Sequence, residues 1–363
     1  MTSRRTLLKA TLGGTAAALL PTAATAAASA TAPGGGPVLR LPAPGGPHPV
    51  GLRTLPLTDP ARTDPWVGGP REVMLTVLYP ARSVRGLPRA PQLTPAEARE
   101  FAGYAPLVHP GLPGPGAVDW GAVLTHGYPG APPLPGRRPV LVYSPGGGDS
   151  RTLGTGLAED LASHGRVVVL VDHPGDATQV ELPSGLRTTV LTGPPDPATF
   201  RTMTDTRIAD LRLVLDRLGT LPLAPVMDLG RIGLYGHSAG GTAVVHAARG
   251  DHRVGAVANL EGYLDLDPAA AGADRPLLLF RSELFEGAAR IEASWAGLPG
   301  RRALLAAANH WAFTDYGPLV AGLRAAGLVT VATRDALVGT GDPVAALARV
   351  RRGVGAFFAR RLG

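Results

Sequence analysis

The chain contains no cysteine and a single lysine, Lys9, in 363 residues. Without cysteine there can be no disulfide, thiolate nucleophile, cysteine-held zinc or iron–sulfur cluster, so the core alone must stabilise the fold. Positive charge is almost entirely arginine, which reads as compositional bias of the coding DNA rather than as function. Aromatic residues are scarce, at 5 %. No basic cluster interleaved with aromatics is present, which argues against nucleic acid as a partner. Charged residues make up 17 % of the chain and apolar ones 45 %, as in a globular protein with a substantial core. The sequence shows no internal repeat and no second apolar core behind a clean linker.

Glycine and proline are abundant instead, with 49 and 37 copies. They predict many turns and long ordered loops rather than a helical bundle. The first 30 residues read as a secretory signal peptide. Arg4, Arg5 and Lys9 precede an apolar Ala/Leu/Gly run that ends in Ala28-Ser29-Ala30. Twin arginines followed by Leu7 and Leu8 point to the Tat route, which exports folded proteins, and thus to a secreted protein. The run is short and broken by Gly13, Gly14 and Pro21, which argues against a permanent anchor. Without the three leader cations the net charge falls from +7 to +4. Residues 31–48 read as a loose Gly/Pro-rich linker and 49–363 as a single α/β domain.

Within that domain, Val50–Leu57 and Glu72–Tyr79 alternate as strands, the second read as an edge strand ended by Pro80. Residues 81–137 are irregular and proline-laden, with a short helical pattern near Thr94–Phe101. A segment of this length predicts a flap over a site. The rhythm then changes to continuous apolar strands separated by helices. Strands are expected at Pro139–Ser144, Arg166–Asp172, Ile232–Tyr235, Val254–Leu260, Pro276–Phe280 and Ala303–Ala307. Helices are expected at Leu153–His164, Phe200–Leu218, Ser238–Ala248 and 343–361. This pattern predicts a mostly parallel sheet covered on both faces.

In such a sheet, chemistry gathers at the carboxyl ends of the strands. Arg231-Ile232-Gly233-Leu234-Tyr235-Gly236-His237-Ser238-Ala239-Gly240-Gly241 places Gly-x-Ser-x-Gly between an apolar strand and a small-residue helix. That is the pattern of a nucleophile elbow, with Ser238 as the nucleophile. Upstream, Pro145-Gly146-Gly147-Gly148 follows another strand end. The N–H groups of Gly147 and Ala239 could together receive a developing oxyanion. No Gly-Lys-Ser/Thr follows these glycines, so a phosphate loop is poorly supported. Three histidines lie after Ser238. His246 falls within the elbow helix and His252 just past it, whereas His310 opens a loop after the last strand and is the best base. Glu261, directly off the strand Val254–Leu260, is the favoured acid, with Asp265, Asp267, Asp274 and Glu283 as competitors. His237, Tyr235 and Asp172 are read as packing or supporting groups.

Four segments together resemble the platelet-activating-factor acetylhydrolase family, the group VII phospholipase A2-like α/β hydrolases and their secreted bacterial relatives. They are Val142–Arg151, Asp160–Gly165, Gly236–Gly241 and His310–Asp315, within a likeness running from about residue 49 to about 320. The resemblance implies an α/β-hydrolase fold with Ser238 as nucleophile, His310 as base and Glu261 as acid, and with Gly147 and Ala239 as oxyanion donors. It implies hydrolysis of short acyl esters with no metal or other cofactor. The implied partner is a small-molecule or lipid ester, with transient contact to a lipid surface. Two positions depart from the family pattern: the acid is usually aspartate, and the usual His-Gly before the oxyanion glycine is here Pro145-Gly146. Cutinase-like polyester hydrolysis, acyl transfer to an alcohol or sugar, and a non-catalytic binding role are the alternatives.

Overall fold

The computed structural model describes residues 37–265 and 275–363. The signal-peptide expectation for residues 1–30 and the first six residues of the expected linker lie outside these limits.

The strands in chain order are β1 (Val50–Thr63), β2 (Pro70–Pro80), β3 (Gly127–Pro129), β4 (Arg138–Ser144), β5 (Val167–Val171), β6 (Gln179–Leu182), β7 (Gly185–Thr188), β8 (Met227–His237), β9 (Val254–Leu260), β10 (Leu277–Ser282) and β11 (Arg301–Leu305). The helices are α1 (Pro95–Val108), α2 (Thr155–Ser163), α3 (Pro197–Arg217), α4 (Ala239–Ala248), α5 (Ala288–Ser294), α6 (Tyr316–Ala325), α7 (Val331–Val338) and α8 (Pro343–Leu362). Nine strands form one sheet in the order β11-β10-β9-β8-β4-β5-β2-β1-β3, while β6 and β7 form a separate hairpin. The run from β5 to β11 is parallel throughout.

The pleat sorts side chains to two cores. In β4, Leu141 and Tyr143 face the layer built by α2, α6 and α8, where Leu157, Leu161, Val320, Val350 and Val354 are buried. Val140 and Val142 face the layer of α3, α4 and α5, with Leu211, Val214, Val244 and Ile291. Both faces are covered, so the central strands carry unbroken apolar runs, as expected of a buried parallel sheet.

Two expectations are corrected. β2 is interior, hydrogen-bonded to β1 on one side and to β5 on the other, both antiparallel. Val73 to Pro80 are all buried in the fold, as fits a strand with neighbours on both sides. Pro80 closes the strand without costing the ladder an interior donor. Residues 37–48, where the linker falls within the described chain, are strapped down rather than loose. Leu39 and Leu41 are buried, Arg351 donates to the Pro42 and Ala43 carbonyls, and Gly45 and Gly46 donate to Asp160 and Ser163 of α2. Within 81–137, helix α1 runs seven residues past the expected end at Phe101, to Val108. It is started by a capping box in which Thr94 and Glu97 satisfy each other's backbone N–H. β3 then adds to the sheet edge beside β1.

Candidate active site

The elbow forms because β8 runs straight into α4 with one residue between. Ser238 has φ 52° and ψ −122°, a region that costs roughly 1–3 kcal/mol for a residue with a side chain. The turn closes tightly enough that a Cβ on Gly236 would lie 2.3 Å from the Gly240 carbonyl oxygen. One on Gly240 would lie 2.1 Å from that of Ser144. Only glycine fits at either position. The Ser238 N–H still donates to the Leu260 carbonyl at 2.9 Å, so the serine leaves the sheet beside the end of β9.

Glu261 is the next residue on β9 and also has positive φ, at 61°. Its N–H donates to the Phe280 carbonyl, and its carboxylate turns inward, with no solvent exposure. Oε1 accepts from the Ser282 hydroxyl at 2.7 Å and from the Ser282 backbone N–H. Oε2 accepts from the Ser282 hydroxyl at 2.9 Å and meets His310 Nδ1 at 2.8 Å. An ionised carboxylate only accepts, so Nδ1 carries the proton and Nε2 keeps its lone pair. That is the tautomer a general base needs.

His310 opens the short helical turn His310–Phe313 after β11. Phe285 stacks on its ring at 4.2 Å and 21°. On its other side, the His237 ring centroid lies 4.5 Å away, and His237 Nε2 donates to the His310 carbonyl at 3.0 Å. The residue before the serine therefore holds the backbone of the histidine. Burial lowers the His310 pKa below its ordinary value of 6.5, nearby His237 lowers it further, and Glu261 opposes both. Residues 81–137 reach this loop at His109, just past α1, whose ring meets Trp311 edge-on at 4.5 Å.

The other candidates are elsewhere. Asp265 pairs with Arg290 at 2.7 Å, and Glu283 accepts the Ala307 N–H. Asp267 and Asp274 lie outside the described residues. His246 is within α4 and His252 follows it. Asp172 is paired with Arg151, and the Tyr235 ring is fully buried. Gly147 is exposed in the loop after β4, and a Cβ placed on it would lie 3.6 Å from the Ala239 Cβ, so the two expected oxyanion donors are close neighbours.

Sequence reading missed three features. Ser282, at the end of β10, grips the Glu261 carboxylate; its signal was a hydroxyl residue at the next strand end. Phe285 walls the histidine. A buried set also reproduces serine–histidine–aspartate connectivity: Ser144 Oγ to His173 Nε2 at 2.9 Å, and His173 Nδ1 to Asp210 at 2.9 Å. Ser144 and Asp210 have no exposure and His173 has 1 %, so no substrate atom reaches this second set. Asp210 is locked further by Arg71, at 2.7 and 3.1 Å. Burial would raise the Asp210 pKa, but Arg71 and His173 outweigh it and hold the carboxyl well below the usual range.

A mostly parallel sheet flanked by helices, a strained serine at the elbow and a buried histidine–carboxylate pair define an α/β hydrolase. No family model matches the chain. A ferulic acid esterase from Streptomyces cinnamoneus is 36 % identical, with a TM-score of 0.74, over 90 % of this chain and 93 % of that one. A 1-alkyl-2-acetylglycerophosphocholine esterase of Arthroderma benhamiae is 34 % identical over 139 residues, which is 37 % of this chain and 34 % of that one. The match with this curated relative thus spans about a third of the relative's length. The chain belongs to the α/β hydrolases that include this ferulic acid esterase, and it is a carboxylic-ester hydrolase.

Proposed function

We propose that the chain is a serine esterase that cleaves short acyl esters through Ser238, His310 and Glu261. The observation that carries this reading is the 2.8 Å contact between His310 Nδ1 and Glu261, which leaves Nε2 as the basic nitrogen beside the elbow. Ser238 Oγ attacks the ester carbonyl as its proton passes to His310 Nε2. The Gly147 and Ala239 N–H groups receive the oxyanion. The C–O bond to the alcohol then breaks, His310 returns the proton to the leaving oxygen, and an acyl-serine remains. Water attacks the acyl-serine with His310 again as base, releasing the acid and restoring Ser238. The names of the two relatives specify an acetyl ester of an ether phospholipid and a ferulic acid ester. The likeness to the ferulic acid esterase extends over nine-tenths of the chain and favours, as a second reading, a compact aromatic acyl group. The twin-arginine start supports export, which N-terminal sequencing of protein recovered from culture medium would test.

The test of the mechanism is Ser238→Ala together with labelling by an organophosphonate. The alanine variant should lose at least about 10⁴-fold in kcat on p-nitrophenyl acetate, and the label should map to Ser238. Full activity in the variant would refute the mechanism. Comparing acetyl, butyryl, octanoyl and feruloyl esters decides between the two acyl readings.

A further inference from the structure

Arg207, on α3, is wholly buried, and all five N–H groups of its guanidinium have acceptors. Nε and Nη2 bind the Asp176 carboxylate at 2.5 and 2.7 Å. Nη1 donates to the Pro145 carbonyl at 2.5 Å and, weakly, to Ser144 Oγ at 3.5 Å. Nη2 also donates to the Gly146 carbonyl at 2.8 Å. Asp176 in turn accepts the Gly148 N–H at 3.1 Å, and the Thr178 N–H holds the Gly148 carbonyl at 2.7 Å. The peptide groups on both sides of Gly147 are thus committed, while no partner for the Gly147 N–H is seen among the described residues.

In a trans peptide the carbonyl and the following N–H point in opposite directions. Gripping the Gly146 carbonyl on Arg207 therefore turns the Gly147 N–H to the opposite side, away from α3. We propose that Arg207, braced by Asp176, is a positioning residue that presets the oxyanion donor through the Gly146–Gly147 peptide. This rests on the serine-esterase reading above. Stability alone is a weaker account of the pair, because a well-packed apolar pair commonly holds a helix on a sheet as well as a buried ion pair does. An apolar pair cannot grip two consecutive carbonyls.

The test uses the full chain with Arg207→Gln and Arg207→Lys, and p-nitrophenyl acetate as substrate. Active sites are counted by organophosphonate titration, so misfolded protein is not scored as slow protein. Arg207→Gln should lower kcat about 10²-fold, as loss of one oxyanion donor does, with KM within about twofold. The inhibition constant of phenylboronic acid, which forms a tetrahedral adduct on the serine, should rise by a similar factor. The pH midpoint of kcat/KM should stay in place, because His310 is untouched. Arg207→Lys should recover part of kcat, since one ammonium can still reach a carbonyl. The proposal is overturned if both variants keep kcat within threefold of the parent per titrated site, or if boronate affinity is unchanged. If Arg207→Gln does not fold, Asp176→Asn carries the same measurements. Wild-type activity in Ser238→Ala would instead sink the esterase reading itself, an outcome distinct from one in which Ser238 is required and Arg207 is not.

Discussion

Replacing Glu261 by glutamine keeps the volume of the side chain and reverses one of its hydrogen-bonding ends. The carboxylate now accepts from the Ser282 N–H, the Ser282 hydroxyl and His310 Nδ1. A glutamine has one accepting oxygen and one NH2 group that only donates. The Ser282 N–H is fixed by the backbone of β10 and cannot turn away, so the amide oxygen must face it. The NH2 group is then left facing His310, where it needs an acceptor. His310 supplies one by moving its proton from Nδ1 to Nε2, and in that tautomer it cannot take a proton from Ser238. The expected loss in kcat is about 10⁴-fold, or about 5 kcal/mol of barrier, with little change in KM.

Glu261→Asp makes a sharper comparison. Aspartate tolerates the left-handed backbone at φ 61° better than glutamate does, so the fold should not suffer. Its carboxylate stops one methylene short and cannot span Ser282 and His310 together. A displacement of this order should cost about 10²-fold. Steady-state kinetics on p-nitrophenyl acetate, with site titration, would measure both. A glutamine variant that kept more than a tenth of kcat would refute the assignment of the acid. So would an Asp265→Asn variant with the larger loss, since Asp265 is occupied by Arg290.

Three further outcomes follow from the geometry. The base works when neutral, and burial and His237 lower the His310 pKa, so kcat/KM should rise with pH and reach half its maximum below pH 6.5; in Glu261→Gln, where the opposing carboxylate is gone, the residual activity should titrate lower still. His109 is pushed down to about 4, chiefly by burial, so the folded state binds its proton less readily than the unfolded chain and stability is lost as pH falls from 6.5 towards 4; the loss is up to about 3 kcal/mol, and His109→Phe should flatten that part of the urea-midpoint profile. Gly240→Ala should cost about 3 kcal/mol or more and lower Tm, because its Cβ meets backbone oxygens at 2.1 and 2.4 Å that cannot yield, while Gly103→Ala on open helix surface should raise Tm slightly.

The parallel half of the fold was legible because burial on both faces leaves one kind of sequence. Val167–Val171 is apolar throughout and Val254–Leu260 is apolar but for Asn259, as strands covered on both faces are. The antiparallel half was not. Nothing local to Glu72–Tyr79 says whether both of its edges are paired; that depends on β1 returning along it and on β5 lying open on its other side. β11 was read two residues late, because Arg301 and Arg302 look like a loop. On an edge strand such charges protect the open ladder instead.

At the site, strand order carried the reading. β8, β9 and β10 are adjacent and parallel, so the residues just past their ends, Ser238, Glu261 and Glu283, come off the same edge of the sheet. By register Glu283 lies two residues past the level of Glu261 and turns to the Ala307 N–H, which leaves Glu261 to face inward. Orientation was the part no strand order could give. Gly146-Gly147-Gly148 permits many peptide orientations, and the glycines themselves favour none. Beside the local turn in which the Gly146 carbonyl accepts the Asp149 N–H, the holding groups are Arg207, about sixty residues away in sequence on α3, and Asp176 on the loop after β5. A glycine-rich loop tells a reader that backbone can be presented there. The buried charges that contact its carbonyls tell which amide is presented, and those are the residues to mutate when the question is the transition state and not the fold.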